Sequence, residues 1–239
     1  MPDCRTLALV VALAALAAAA LFSLWPRIDL LVSGLFYVRG AGFPLADDPV
    51  AVALRRTIWW ASDAMVIAAL AGLVLAAAGR APFHLGGRIW GFVLLLYALG
   101  PGIVVNLGLK NTWGRARPAD VLEFGGSRTF TPALRISDQC ASNCSFVSGE
   151  GAAAAALSIS AAVILWHLRH RLPASVLRGG LAACLVVGLT GLALRVMAGR
   201  HFLSDTVFAV LIVAALALAL HRLLFGASDT GAPRDPGRR

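Results

Sequence analysis

Residues Thr6–Trp25 read TLALVVALAALAAAALFSLW, a stretch without a charged side chain. A bilayer core about 30 Å thick is crossed by roughly 20 apolar helical residues, so this stretch predicts a membrane span. Five later segments have the same apolar character: Ile58–Ala78, Ile89–Leu109, Gly151–Leu168, Gly179–Met197 and Phe202–Leu220. The sequence therefore predicts an all-α polytopic membrane protein, a bundle of six transmembrane helices, with residues 1–225 as a single domain.

The composition excludes an ordinary soluble protein. Of 239 residues, 59% are hydrophobic and only 14% are charged, whereas a soluble domain is usually about a quarter charged. The net charge of +9 is spread between apolar runs, which favours lipid head groups or phosphates as partners and not nucleic acid. Residues 226–239 are rich in Gly, Pro and Arg, which predicts a disordered basic tail.

Basic loops predict the orientation in the membrane. The short loops Gly79–Arg88 and Arg169–Arg178 contain Arg and His but neither Asp nor Glu, as is typical of cytoplasmic loops. We therefore expect both termini in the cytoplasm of a bacterium, and the long segments Pro26–Thr57 and Lys110–Gly149 on the periplasmic face of the inner membrane. Pro26–Thr57 fits either an interfacial segment lying on the head groups or a loop packed over the bundle.

Three polar clusters fall on this predicted outer face. They are KNTWGRARP (Lys110–Pro118), SFVSGE (Ser145–Glu150) and the segment Arg195–Asp205. The first follows the third span, the second precedes the fourth, and the third lies between the last two spans. Because the spans bring all three to one side of the membrane, we expect an active site at that membrane face.

The residue types in these clusters favour the binding and attack of a phosphate. Cationic side chains and a helix start suit a highly charged oxyanion, and these residues are Lys110, Arg117, Ser148, Gly149 and Arg195. His201 adds a nucleophile beside them. Asp205 follows four residues later, a spacing that brings its carboxylate one helical turn from the imidazole and allows it to orient the ring.

The order Lys-x6-Arg-Pro, Ser-Gly and Arg-x5-His-x3-Asp resembles the type-2 phosphatidic-acid phosphatase superfamily, over about residues 58–225. The resemblance implies a metal-independent phosphatase that acts on membrane lipids without a cofactor. It implies that His201 attacks phosphorus to give a phosphohistidine, that Asp205 holds the imidazole, and that water then releases phosphate. The residues that it implies for binding the phosphate oxygens are Lys110, Arg117, Ser148, Gly149 and Arg195.

The sequence departs from this family at Glu150, where the family pattern has a histidine that protonates the leaving group. Three interpretations remain open. Glu150 is the general acid, or the leaving group needs little protonation, or the protein is inactive and only binds or transports phospholipid. The first interpretation predicts that Glu150→Gln severely lowers activity, and the second predicts that activity survives.

The substrate class stays open between lipid A, undecaprenyl diphosphate and phosphatidyl phosphates. The segment Ile28–Pro44 resembles bacterial phosphatases of the lipid A type. Four further arginines either bind extra phosphates of a large head group or form a solvated rim; they are Arg115, Arg128, Arg135 and Arg200. A lipid phosphotransferase, which passes the phosphoryl group to another lipid, remains an alternative to a hydrolase.

Cys140 and Cys144 lie on the predicted periplasmic face, where oxidising conditions permit a disulfide. The alternative is a pair of free thiols. A lone Cys-x3-Cys is poor evidence for zinc, and the chain has no Gly-x4-Gly-Lys-Ser/Thr loop for nucleotide phosphates. We therefore expect neither a metal nor a cofactor, and the sequence leaves the oligomeric state undefined.

Overall fold

The computed structural model describes residues 4–226, and this part of the chain is helical with no strand. Its helices are α1 (Cys4–Leu24), α2 (Arg27–Gly34), α3 (Pro49–Ala77), α4 (Gly87–Thr112), α5 (Gly149–His167), α6 (Ala174–Met197) and α7 (Leu203–Phe225). Within residues 4–226, all but α2 are long and apolar enough to cross a membrane. The prediction of a six-span, all-α membrane protein is thus confirmed. The predicted disordered tail lies, beyond Gly226, outside the described residues.

Helix α5 forms the centre of the bundle and packs against α3, α4, α6 and α7. Its alanine-rich sequence is buried along most of the first three turns. A Cβ atom built on Gly191 of α6 would lie only 2.7 Å from the Cβ of Ala154. Small residues therefore let α5 and α6 approach closely, as is usual for helix pairs within a bilayer.

Helix α3 begins at Pro49, about two and a half turns before the predicted start at Ile58. The Asp48 side chain caps it by accepting a hydrogen bond from the Ala51 N–H at 2.8 Å, and Pro49 occupies the first turn. Both features stabilise a helix start. The outer segment therefore ends before Thr57, and Arg55 becomes a helical residue at the outer end of the bundle.

Helix α2 has features of both interpretations of Pro26–Thr57, an interfacial segment on the head groups and a loop packed over the bundle. Leu31 and Leu35 on and just beyond it are 70% and 78% exposed, as expected of residues that lie on a membrane surface. Asp29 and Ser33 on the opposite side are buried, and α2 packs against α7. One face of this segment thus belongs to the bundle interior.

Candidate active site

The three polar clusters surround one cavity of about 280 Å³ at one end of the bundle. Helices α3, α4, α5 and α6 contribute to its wall, together with the loops that follow α4 and α6. The polar residues that line it are Arg55, Lys110, Arg117, Asn143, Glu150, Arg195, Arg200 and His201. The cavity therefore combines one histidine with several cations, and it contains a single carboxylate among the residues that the structure describes.

His201 reaches the cavity through a tight turn after α6. Gly199 adopts a φ of +64° there, a conformation that favours glycine. The backbone N–H groups of Arg200 and His201 donate to the Arg195 carbonyl at 3.1 and 3.2 Å. This turn brings the Arg195 and His201 side chains to the same cavity although they are separated along the chain.

The hydrogen bonding of His201 leaves one ring nitrogen free for chemistry. Its Nδ1 lies 2.7 Å from the Ser145 carbonyl oxygen, which can only accept, so Nδ1 carries the proton and Nε2 keeps its lone pair. The side chain is almost completely buried. Burial, reinforced by the charges of Arg195 and Lys110, holds the pKa of His201 well below 6.5. The imidazole is therefore neutral at neutral pH, the form required of a nucleophile.

Asp205 does not hold the imidazole directly, in contrast to the expectation from the family resemblance. Its Oδ2 is 3.9 Å from His201 Nδ1, beyond hydrogen-bonding distance. That oxygen instead accepts from the Ser145 hydroxyl at 2.5 Å and from the Phe202 N–H at 2.8 Å. Asp205 thus holds Ser145, and the Ser145 carbonyl holds His201. Sequence reasoning missed this role because a backbone carbonyl has no residue-specific pattern.

Arg115 is a buried structural cation and not a head-group ligand at the rim. Its side chain is completely buried and lies 2.6 Å from Asp205 Oδ1 and 2.8 Å from Asp29 Oδ2. It does not line the cavity. Arg128 and Arg135 are also absent from the lining and are exposed, so Arg200 alone of the four additional arginines remains beside the site.

Lys110, Arg117 and Arg195 all line the cavity, as the motifs predicted for phosphate ligands. Arg117 Nη2 donates to the Asn143 carbonyl at 2.7 Å. Burial lowers the pKa of Arg117, but an arginine keeps its proton because its ordinary value is above 12. These three cations therefore create a concentrated positive field next to Nε2 of His201.

Ser148 and Gly149 shape the start of α5 without lining the cavity themselves. The Ser148 hydroxyl accepts the Gly151 N–H at 3.0 Å and so caps the helix. A Cβ atom on Gly149 would lie 2.6 Å from Asn106 Oδ1 and 3.4 Å from Lys110 Nζ. The glycine thus gives the Lys110 ammonium room beside the positive end of the helix dipole.

Glu150 forms a bidentate ion pair with Arg55, with both N···O distances at 2.7 Å. Arg195 Nη1 lies 3.4 Å from the same carboxylate. Two-point pairing of this kind is typical of an ionised carboxyl group. The sequence analysis did not identify Arg55 as a site residue, because the segment Pro26–Thr57 was expected to precede the second span. The capping residue Asp48 followed by Pro49 was the signal that would have placed Arg55 on the helix.

Cys140 and Cys144 are joined by a disulfide in the structure, with their Cα atoms 5.6 Å apart. The Cys144 N–H donates to the Lys110 carbonyl at 3.0 Å, and the Ser145 N–H donates to the Arg115 carbonyl at 2.9 Å. The loop closed by the disulfide therefore ends where the backbone is hydrogen-bonded to the first polar cluster, Lys110–Pro118. In residues 4–226 no group of three or more His, Cys, Asp or Glu side chains is arranged to hold a metal ion.

Comparison with known proteins gives a family match and several relatives. The PAP2 superfamily profile matches residues 90–229. A lipid A 4′-phosphatase from Rhizobium leguminosarum is 32% identical over 218 residues, which cover 84% of this chain and 90% of that protein. A lipid A 4′-phosphatase from Francisella tularensis subsp. novicida is 36% identical over 134 residues, but the match spans only 57% of its length. No solved structure matches the chain.

Proposed function

The chain belongs to the PAP2 superfamily, and we propose that it is a membrane phosphatase that hydrolyses the 4′-phosphate of lipid A. One observation carries the proposal: a neutral histidine, whose Nδ1 is bonded to the Ser145 carbonyl so that Nε2 is left free, lines a cavity together with several cations. The similarity to the lipid A 4′-phosphatase of Rhizobium leguminosarum along most of both chains supports this choice of substrate.

The cations of the cavity would bind the phosphate before reaction. Lys110, Arg117 and Arg195 supply charge and hydrogen-bond donors for the non-bridging oxygens. Arg200 and Arg55 extend the positive lining toward the rest of an anionic head group. Since charge develops on these oxygens during transfer, donors that are already in position stabilise the transition state.

The first chemical step is attack by His201 Nε2 on phosphorus. The bond between phosphorus and the sugar oxygen breaks, and a phosphohistidine forms. The ring gains positive charge in this step, which its Nδ1–H shares with the Ser145 carbonyl. In the second step, water attacks phosphorus and gives its proton to solvent. The bond to Nε2 then breaks, inorganic phosphate leaves and neutral His201 is restored.

The leaving sugar oxygen is a secondary alkoxide, which needs a proton. Glu150 is the one carboxyl group in the cavity lining of the described chain, and we assign it the role of general acid. In the structure its carboxyl group pairs with Arg55 and Arg195. A bound phosphate dianion competes for these arginines and favours the protonated carboxyl group by repulsion between like charges.

We further propose that this site faces the periplasm and that both termini lie in the cytoplasm. The basic loops that contain Arg88 and Arg171 support this orientation. Residues 1–225 then act as one domain, since helices from the whole described range pack around α5 and α7.

Phosphate release from defined lipids tests the proposed function. The protein in detergent with EDTA is offered lipid A carrying phosphate at position 4′, at position 1 or at both, as well as undecaprenyl diphosphate and phosphatidic acid. We expect release from the 4′ position by wild type, no release by His201→Ala, and full activity in the control His84→Ala at the other end of the bundle.

Two other results would favour the alternatives. Transfer of labelled phosphate to an added lipid, without free phosphate, would indicate a phosphotransferase. Saturable lipid binding without turnover of any substrate would indicate an inactive phospholipid-binding protein.

A further inference from the structure

The carboxylate of Asp29 is buried against the catalytic end of α7. Its side chain is completely inaccessible to solvent. Oδ1 accepts the Ser204 N–H at 2.9 Å, and Oδ2 accepts the Ser204 hydroxyl at 2.5 Å. The partners are 175 positions apart in the sequence, and Asp29 was not predicted as a site residue. An isolated buried carboxylate is costly, so this one requires a cationic partner.

Arg115 is that partner, and it connects Asp29 to Asp205. Its Nη2 lies 2.8 Å from Asp29 and its Nη1 lies 2.6 Å from Asp205. The guanidinium is further fixed by the Thr131 carbonyl at 2.8 Å and by the Phe202 ring, whose centre is 4.3 Å away. Asp29 is therefore one of the groups that hold Arg115 in place, and Arg115 is one of the groups that hold Asp205.

We propose that Asp29 is a positioning residue for catalysis, which acts through Arg115 and Asp205 on the Ser145–His201 pair. This role rests on the proposed phosphatase function. The path is continuous, because Asp205 accepts the Ser145 hydroxyl at 2.5 Å and the Ser145 carbonyl accepts His201 Nδ1–H at 2.7 Å. Each link is a buried hydrogen bond, so a displacement of Arg115 is passed on to the imidazole.

The groups along this path also lie close to the reacting ring. The carboxyl groups of Asp29 and Asp205 share the single guanidinium of Arg115, and all three side chains are completely buried. Asp205 Oδ2 lies 3.9 Å from Nδ1 of His201, whose ring becomes positive when Nε2 bonds to phosphorus. Lys110, Arg117 and Arg195 face the same ring and oppose that charge. By helping to hold Arg115, Asp29 influences where this carboxyl oxygen lies relative to the ring.

Asp29 lies outside the segment that matches the family. The PAP2 match begins at residue 90, whereas Asp29 belongs to α2, whose other face carries the exposed Leu31. The segment before the family match therefore does more than contact the surface of the bundle. It supplies one of the two carboxylates that hold Arg115.

Two substitutions at Asp29 separate its charge from its packing. Asp29→Asn keeps the size and removes the charge, whereas Asp29→Glu keeps the charge and changes the size. We expect kcat to fall about 30-fold for Asn and less for Glu, about fivefold, with KM within twofold of wild type, because displaced catalytic groups lower turnover. The control Ser33→Ala removes a buried hydroxyl on the same helix that has no hydrogen-bond partner, and we expect it to retain wild-type kcat.

The assays are made on folded protein, at a temperature well below each variant's Tm. A wild-type kcat for Asp29→Asn, or a higher kcat for Asn than for Glu, would overturn the proposal and leave a packing role. If Asp29→Asn does not fold, Asp29→Glu decides: a several-fold lower kcat at unchanged KM supports the proposal, and wild-type kcat refutes it. A folded wild type that releases no phosphate would contradict the proposed function itself.

Discussion

At the scale of single residues, the site depends on which group touches His201. The Ser145 carbonyl accepts a hydrogen bond from Nδ1–H at 2.7 Å, whereas Asp205 accepts from the Ser145 hydroxyl and not from the ring. A neutral carbonyl fixes the tautomer without placing a full negative charge on the ring. The imidazole therefore stays neutral among the cations, with Nε2 open toward the phosphate site.

The protonation of His201 predicts a pH-dependent stability. In the unfolded chain the imidazole takes up a proton near pH 6.5, whereas burial and the nearby cations hold the pKa of native His201 well below that value. As the pH falls below 6.5, the unfolded state binds a proton that the native state does not. The free energy of unfolding therefore falls, by up to about 1.4 kcal/mol per pH unit.

Thermal unfolding in detergent between pH 7.5 and pH 5 measures this effect. We expect the Tm of wild type to fall more steeply with acidification than that of His201→Gln, which lacks the titrating ring. Equal slopes for the two proteins would show that His201 titrates alike in both states.

The general-acid role of Glu150 predicts that the loss of kcat in Glu150→Gln depends on the leaving group. General acids contribute roughly 10²–10⁴-fold to turnover, and the contribution is needed most when a poor leaving group departs. Glu150→Gln should therefore lower kcat about 10³-fold for a sugar phosphate but far less for an aryl phosphate ester of a lipid. Arg55→Gln, which removes the ion-pair partner of Glu150, serves as the comparison. Its KM should rise because Arg55 lines the cavity, but the ratio of kcat for the two substrates should stay near that of wild type.

An equal loss with both leaving groups in Glu150→Gln, matched by the same loss in Arg55→Gln, would contradict the acid role. That result would assign Glu150 to the positioning of Arg55 and Arg195.

At the scale of elements, the start of α5 depends on the absence of a side chain at Gly149. A Cβ atom there would meet Asn106 Oδ1 at 2.6 Å and Lys110 Nζ at 3.4 Å. Both neighbours are flexible ends, so Gly149→Ala should fold but displace Asn106 Oδ1 and crowd the Lys110 ammonium beside it. We expect KM for the phosphate substrate to rise about tenfold, which corresponds to about 1.4 kcal/mol of lost binding.

Gly179→Ala is the matched control, because nothing lies within 4 Å of a Cβ atom at that helical position. It should keep the wild-type KM and gain slightly in Tm, since alanine favours a helix over glycine. An unchanged KM in Gly149→Ala would show that the glycine does not keep room for Lys110.

The helices could largely be predicted from the sequence, while one boundary and one ion-pair network could not. Hydrophobicity identified all six spans, but the charges at Arg55 and Arg56 ended the apolar segment at Ile58 and hid the first turns of α3. Arg115 has the same sequence pattern as a surface arginine. Its burial depends on Asp29 and Asp205, which only the fold brings together.

At the scale of the whole molecule, the three motifs identified the family because all three occur together and in a fixed order along the chain. Each alone is a common combination of residues, yet their order along six spans predicted the PAP2 superfamily, and the family match and relatives confirm that prediction and the phosphatase class. The motifs predicted that Asp205 holds the imidazole and that Ser148 binds phosphate oxygens, but both side chains are buried and neither lines the cavity. Motif membership therefore indicates position near the site more reliably than contact with the substrate.

The orientation of the whole bundle gives a prediction that is independent of activity. Glu123 is exposed on the face that carries the active site, and Ser175 is exposed at the opposite end of α6. In a background with the free Cys4 and Cys184 replaced by serine, each position is changed in turn to cysteine. Intact bacterial spheroplasts are then treated with a membrane-impermeant maleimide. We expect Glu123→Cys to be labelled at once and Ser175→Cys only after lysis, since the basic loop next to Ser175 is retained in the cytoplasm.

The unsubstituted background reports any labelling of Cys140 and Cys144, which are disulfide-bonded and should not react. Labelling of Ser175→Cys but not Glu123→Cys in intact spheroplasts would place the cavity in the cytoplasm. The orientation therefore decides which leaflet of the membrane supplies the lipid substrate.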